Sequence, residues 1–271
     1  MSVFEQTRTL TCAGVETATY STGSGPALLF LHGNPDTHHA WEPVVERLRD
    51  TFTCHAADMP GYGASAPQLE VRFEEQIRWV DELIAGLGLE RPHLVAHDVG
   101  GTYGLLFAAT SPERLSKLTV FNANFFPDYH WHFWGRVWRR PVLGELTMAF
   151  AGRGLFVNQV LKAAPKLPRA FAERAFDHYG KKTRAQVLRY YRHLDSSRLA
   201  GWPEKLAAAT KTPAPRLPMQ VIWGDRDPYI PPAFADRFGG EVHHLPDVSH
   251  WAMMEAPELV APLIRGFALR R

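Results

Sequence analysis

One nine-residue run, His93-Leu-Val-Ala-His-Asp-Val-Gly-Gly101, restricts how this chain can fold more than any other. It opens with His93-Leu-Val-Ala96, a strand-like stretch, and closes on a Gly-rich entry into a helix. Between them stands Ala96-His-Asp-Val-Gly100, a central acid with a small residue two places to either side. Bulky side chains at those outer places would strike the neighbouring strand and helix. Small ones permit a turn sharp enough to hold its central side chain strained and exposed. Taken alone, the run also reads as an ordinary Gly-rich turn with a polar N-cap.

The rest of the chain alternates in the same sense. Ala27-Leu-Leu-Phe-Leu31 is a continuous apolar run of buried-strand length, and Phe52 to Asp58 and Leu115 to Phe121 are two more. Phe73 to Leu87 places Ile77, Val80, Leu83, Ile84 and Leu87 on one helical face. Arg8–Thr11 and Glu16–Ser21 read as a hairpin around Ala13-Gly14. After residue 213 come two further strands, Met219–Trp223 and Glu241–Leu245. A closing helix, Pro257–Ala268, is expected to bury Leu259, Val260, Leu263, Ile264 and Phe267. Alternation of this kind predicts a mostly parallel sheet flanked by helices. Residues 124–212 differ: they hold aromatic and basic residues at helical spacing and no strand-like run, as in Tyr129-His-Trp-His-Phe-Trp134. A segment of that length is too long for a loop. It is expected to be a helical cap inserted into a core of residues 1–123 and 213–271, with Pro213, Pro215 and Pro218 marking the return.

Three further segments carry candidate chemistry. His32-Gly-Asn-Pro35 follows the strand at 27–31 and can aim a backbone N–H, that of Asn34, at the elbow. With the N–H of Val99 it would form an oxyanion hole, although the tetrapeptide is also compatible with an ordinary loop. Gly224-Asp-Arg-Asp-Pro228 follows a strand, and an acid just past a strand end can reach a histidine on a later loop. Asp227 is preferred for this, with Asp225 in turn or loop hydrogen bonds; both could instead cap the following segment. Leu245-Pro-Asp-Val-Ser-His-Trp251 puts His250, one of 13 histidines, on the loop before the last helix. The order Asp98, Asp227, His250 is nucleophile, acid, histidine.

On His32-Gly-Asn-Pro35, Asp58-Met-Pro-Gly-Tyr-Gly-Ala-Ser65, His97-Asp-Val-Gly-Gly101, Trp223-Gly-Asp-Arg-Asp-Pro228 and Ser249-His-Trp-Ala-Met-Met-Glu255, the chain resembles the α/β-hydrolase superfamily over essentially its whole length. An aspartate at the elbow, where most esterases and lipases carry serine, resembles the epoxide hydrolase and haloalkane dehalogenase branch. The resemblance implies an α/β-hydrolase fold with an inserted helical cap. It also implies covalent catalysis at saturated carbon: Asp98, ionised without help, displaces a leaving group and becomes an alkyl ester. Water activated by His250 and Asp227 then hydrolyses the ester, with the oxyanion between the N–H groups of Asn34 and Val99.

The leaving group separates the two branches. Epoxide hydrolases of this kind use cap tyrosines as acids, and Tyr190-Tyr-Arg-His-Leu194 resembles the run that carries one, pointing to Tyr191. Val137 stands where the second is expected, and Tyr129 is a substitute. Tyr191 packing within the cap is the alternative. Dehalogenases usually place tryptophan after the nucleophile, where this chain has Val99; Asn34 with Trp131, Trp134 or Trp138 would serve a halide instead. The elbow lacks the arginine of fluoroacetate-type dehalogenases. An epoxide-opening hydrolase is therefore the leading expectation, with haloalkane hydrolysis and a catalytically inert ligand-binding homologue as alternatives. No cofactor or metal is expected, and the partners are a small apolar substrate and water.

Composition narrows the setting. A net charge of +2 gives no electrostatic footprint for nucleic acid. No apolar run approaches the length of a membrane span, so no membrane partner is expected. The first ten residues lack a signal-peptide core, and Cys12 and Cys54 are expected to be buried free thiols, all of which suits a cytoplasmic protein.

Overall fold

The computed structural model describes residues 2–211 and 217–270. Eight strands form one sheet: β1 (Gln6–Cys12), β2 (Val15–Gly23), β3 (Ala27–Leu31), β4 (Thr53–Ala57), β5 (His93–His97), β6 (Lys117–Phe121), β7 (Met219–Gly224) and β8 (Glu241–Leu245). Their spatial order is β1-β2-β4-β3-β5-β6-β7-β8. β2 runs antiparallel to β1 and β4, and every later pair is parallel. The β1–β2 hairpin closes through Ala13 and Gly14, both at positive φ (49° and 75°), the two-residue turn whose twist matches paired strands.

The apolar runs are continuous because the sheet is covered on both faces. The pleat sorts them. Leu29, Leu31, Leu94, Ala96, Leu118, Val120, Val221 and Trp223 face one apolar cluster; Leu28, Phe30, Val95, Phe121 and Ile222 face the other. The first face is covered by α2 (Phe73–Gly86) and α3 (Asp98–Thr110). The second is covered by α1 (Glu42–Leu48), α11 (Ala252–Glu255) and α12 (Pro257–Leu269). A buried polar bridge, His93 Nε2 to Thr119 Oγ1 (2.8 Å) to Gln220 Oε1 (3.1 Å), ties β5, β6 and β7 together within this packing.

One expected core position is wrong. Leu259 is 51% exposed. α12 buries Val260, Ile264 and Phe267, an i, i+4, i+7 stripe, and Leu259 lies about 100° round the helix from it. Conversely Trp79, fully buried on α2, belongs to the core although the spacing argument passed over it.

Helices α4 (Phe133–Trp138), α5 (Leu143–Phe150), α6 (Arg153–Ala163), α7 (Arg169–His178), α8 (Lys181–His193) and α9 (Trp202–Thr210) lie between β6 and β7 and form the helical insertion. The last of them, α9, packs on α3. α8 is pinned to the core loop 61–68: Thr183 Oγ1 donates to Gly61 O (3.0 Å) and Gln186 Oε1 accepts from Gln68 N (3.0 Å). Of the prolines expected to mark the chain's return, Pro213 and Pro215 lie outside the described residues; Pro218 stands directly before β7. A short helix, α10 (Ala235–Phe238), precedes β8.

Candidate active site

The parallel strands end side by side. Leu31 is paired with Ala96, His97 with Phe121, Phe121 with Ile222, and Gly224 with Leu245. The residue just beyond each end therefore falls on one rim, the carboxyl edge where α/β sheets build sites. Asn34 follows β3, Asp98 follows β5, Asn122 follows β6, Asp227 follows β7 and His250 follows β8.

Asp98 sits at φ 48°, in the left-handed region, with α3 beginning at the same residue. The strain is held by packing. Gly100 N–H donates to His32 O (3.1 Å), and a Cβ on Gly100 would lie 2.5 Å from that oxygen. A Cβ on Gly33 would lie 2.5 Å from Asp98 Cβ, so the 32–34 turn approaches the acid only because the residue there is glycine. The turn is fixed by neutral His32, whose Nδ1 bonds Gly33 O (2.8 Å) while Nε2 accepts from Met59 N (2.8 Å). Burial lowers the pKa of this ring to about 4.

The Asn34 N–H donates to Asp98 Oδ2 (2.8 Å), and the Val99 N–H also bonds the carboxylate. Both lower its pKa, but burial outweighs them and raises it above the ordinary value. His250 Nε2 stands 4.0 Å from Asp98 Oδ2. Its Nδ1 is 2.7 Å from Asp227 Oδ2. Asp227 is saturated: Oδ1 accepts from Tyr229 N (2.7 Å) and Ile230 N (3.1 Å), and Oδ2 also accepts from Asn122 Nδ2 (2.8 Å). Burial alone would lower the His250 pKa; Asp227, by charge and hydrogen bond, with Asp98 and Asp36 behind it, reverses this and raises it to about 9. Asp225 is not part of the group: its Oδ1 bonds His244 Nδ1 at 2.6 Å on the surface.

Several contributors escaped sequence reasoning. Asn122, at φ 33°, ties Asp227 to Gly224, accepting from Gly224 N (3.0 Å) and donating to Gly224 O (3.2 Å). His97 Nε2 bonds His250 O (2.9 Å), and burial holds the ring neutral. Buried Asp36 accepts from Trp251 Nε1 (2.8 Å) beside His250. Position after a strand end is the only sequence signal for Asn122. Asp36 and His97 lie within or beside motif runs, but nothing in the runs assigns them partners.

A cavity of about 520 Å³ covers Asp98 and His250, walled mainly by the insertion. Asn34, Tyr129, Trp131, Trp134, Trp138 and Tyr191 line it; Val99 and Val137 do not. The hydroxyl of Tyr129 donates to Tyr229 O (3.1 Å). The tyrosine expected as a substitute acid therefore lines the cavity with its proton engaged by a backbone carbonyl. Tyr191 differs. His132 Nδ1 accepts from Gly135 N (3.2 Å), so the neutral ring carries its proton on Nε2, 3.3 Å from Tyr191 Oη. Tyr191 thus accepts from His132 and keeps its own proton uncommitted. Burial and the Asp98 charge raise its pKa well above 10, and burial lowers that of His132 to about 4, so neither ionises near neutrality. Trp131 Nε1 and Asn124 Nδ2, both on cavity-lining residues, are buried without a hydrogen-bond partner. No cluster of ligating side chains that could hold a metal occurs among the described residues.

The chain belongs to the α/β-hydrolase fold family, whose model matches residues 26–257, and within it to the aspartate-nucleophile branch of epoxide hydrolases and haloalkane dehalogenases. It is an enzyme of that fold. It is 31% identical over 233 residues to a haloalkane dehalogenase of Mesorhizobium japonicum, covering 79% of this chain and 74% of that one. It is 25% identical over 279 residues to epoxide hydrolase 3 of Xenopus tropicalis, covering 89% and 71%. A solved structure of an epoxide hydrolase from Bacillus megaterium shares the fold, with a TM-score of 0.78 at 24% identity over 97% of this chain and all of that one (100%).

Proposed function

We propose that the protein opens epoxides to diols through an alkyl ester on Asp98. The observation that carries the reading is the Tyr191 hydroxyl on the cavity wall, held by His132 with its proton uncommitted. An epoxide oxygen leaves as alkoxide and needs such a donor. Asp98 attacks the ring carbon and Tyr191 protonates the departing oxygen. Both substrate oxygen and carbon thereby remain attached to the enzyme as a hydroxyalkyl ester.

Ester formation removes the Asp98 charge, one of the interactions that raise the His250 pKa. The change shifts His250 toward its neutral, basic form at the stage that requires a base, although Asp227 remains the larger influence on the ring. At 4.0 Å its Nε2 is beyond hydrogen-bond reach of the carboxylate and free to take a proton from water attacking the ester. The N–H groups of Asn34 and Val99 receive the oxyanion, and Asp227 holds the ring in the tautomer needed. Collapse of the oxyanion breaks the ester C–O bond, the departing diol oxygen takes the proton from His250, and the proton left on the Asp98 carboxyl restores Tyr191, which regenerates the starting enzyme.

Haloalkane hydrolysis is the second reading, favoured by the unpartnered N–H groups of Trp131 and Asn124, which suit a halide. One measurement separates them. His250→Gln protein should form the ester and fail to hydrolyse it, giving a mass increase mapped to Asp98. The increase equals the whole substrate for an epoxide, and the substrate less hydrogen halide for a haloalkane. Absence of an adduct with every substrate that the unaltered enzyme consumes would overturn the two-step scheme.

A further inference from the structure

The insertion carries most of the exposed large apolar side chains among the described residues and an excess of positive charge. Six of the nine exposed large apolar side chains among the described residues lie between 133 and 155: Phe133, Val142, Leu143, Leu146, Phe150 and Leu155. Phe150 is 80% and Val142 69% exposed. Val142 is also strained outward. It sits at φ 69°, ψ −54°, with Leu143 N bonded to Pro141 O (2.8 Å), a tight left-handed γ-turn that β-branched residues avoid. Folding alone gives no return for six such side chains in water.

The charge has the same address. Residues 124–212 hold 16 Lys and Arg against 6 Asp and Glu, whereas the remaining chain holds 14 against 22. Within 133–166 there are six basic residues and one acid, Glu145, and both its oxygens are claimed by Arg192 at 2.7 Å; of the six, Arg139 and Arg153 pair with Asp195 and Asp177, while Arg136 and Arg140 are exposed on α4 and just after it. The near-neutral total conceals a molecule with a basic cap and an acidic core. The cavity reaches the surface here: Phe150 and Leu155, exposed on this face, line the same cavity as Asp98.

We infer that the outer face of α4 to α6 docks onto an anionic lipid surface, with the cavity mouth turned toward the lipid. Charge selects this occupant. Two copies meeting through this face would oppose two basic surfaces, and a protein seated on it would seal the cavity. A fluid anionic interface matches both the exposed apolar side chains and the arginines around them, and it concentrates apolar substrates where the cavity opens. No described helix is long and apolar enough to cross a membrane, so the contact is one of lying on the surface. The expectation of no membrane partner rested on the lack of a span, which does not bear on a surface contact.

Flotation with vesicles tests this independently of the chemistry assigned to Asp98. The whole protein should float with mixed phosphatidylglycerol–phosphatidylcholine vesicles, stay behind with phosphatidylcholine alone, and be released by salt. Val142→Ser with Leu146→Ser, and separately Arg136→Glu with Arg140→Glu, change residues outside the cavity wall. Each pair should lower partitioning about tenfold or more, with circular dichroism and melting unchanged. Failure of the unaltered protein to float with the anionic vesicles at low salt overturns the proposal. So does flotation indifferent to both pairs, or a concentration-dependent dimer in sedimentation that the same substitutions dissolve.

Discussion

A carboxylate at φ 48°, half-buried and held by two backbone N–H groups, is costly to hold, and the residues around it are explained by that cost. Tyr191 is the residue whose role is most open to test. Tyr191→Phe keeps the ring in the cavity wall and removes the proton. For an epoxide it should slow ester formation by a factor on the order of 10²–10⁴ in single-turnover measurements. An unchanged rate would reduce Tyr191 to packing, and halide release at matching efficiency would favour the second reading. Asp36 makes a different prediction. Burial raises its pKa from 3.8 to about 7, so across that interval the folded protein holds a proton that the unfolded chain has lost. Its stabilising contribution is complete below the lower value and is lost as pH rises to the upper one. An asparagine in its place would still accept from Trp251 Nε1 and cannot ionise. Asp36→Asn should therefore match the unaltered protein at the acid end of the window and exceed it above pH 7, by about 1–4 kcal/mol in urea unfolding. A gain that shrinks as pH rises would contradict the burial argument.

At the scale of elements, the site depends on how closely one strand–helix turn can approach another. β5, the elbow and α3 press against the turn after β3, and Gly100 has no room for a side chain against the carbonyl of His32. Gly100→Ala should destabilise the protein by about 1–3 kcal/mol, since backbone rather than a flexible side chain must give way. It should also cost activity beyond the stability loss, because the displaced His32 turn carries the Asn34 N–H. Thermal melting together with turnover per folded molecule checks both. A neutral Gly100→Ala would mean that the elbow tolerates widening. The expected strands lie where they were read, with ends shifted by a residue or two; for the central strands β3, β5, β6 and β7 this is because burial on both faces leaves no polar alternation to blur. The helices of the insertion were legible only as helical spacing. Their order around the cavity depends on contacts such as Arg139 to the carbonyl of Tyr191 (2.8 Å), which no period encodes.

For the molecule as a whole, stability rests on two apolar clusters meeting across one sheet, with neither cysteine contributing a bond. Cys12 and Cys54 are buried free thiols, and burial raises their pKa to about 11 and about 12. Both should resist a thiol-reactive disulfide such as DTNB in the native protein and react at the rate of global unfolding in denaturant, with reductant leaving the melting temperature unchanged. Rapid native labelling of either would show that its strand opens locally.

Local sequence specifies the class of fold and four of the groups on the rim, Asn34, Asp98, Asp227 and His250. Small residues around Asp98, apolar strands and the positions of Asp227 and His250 after strand ends are local properties, and a parallel sheet converts positions after strand ends into neighbours. Tertiary structure alone decided the rest. Asn122 and Asp36 acquire partners only when segments more than 100 residues apart meet, as Asn122–Asp227 and Asp36–Trp251 do. In sequence Tyr191 is the expected acid and Tyr129 a substitute for the second; the hydroxyl of Tyr129 donates to Tyr229 O, whereas that of Tyr191 accepts from His132. Hydrogen-bond partners across a cavity are set by packing of whole helices, and that information is not carried by the spacing of residues within any one of them.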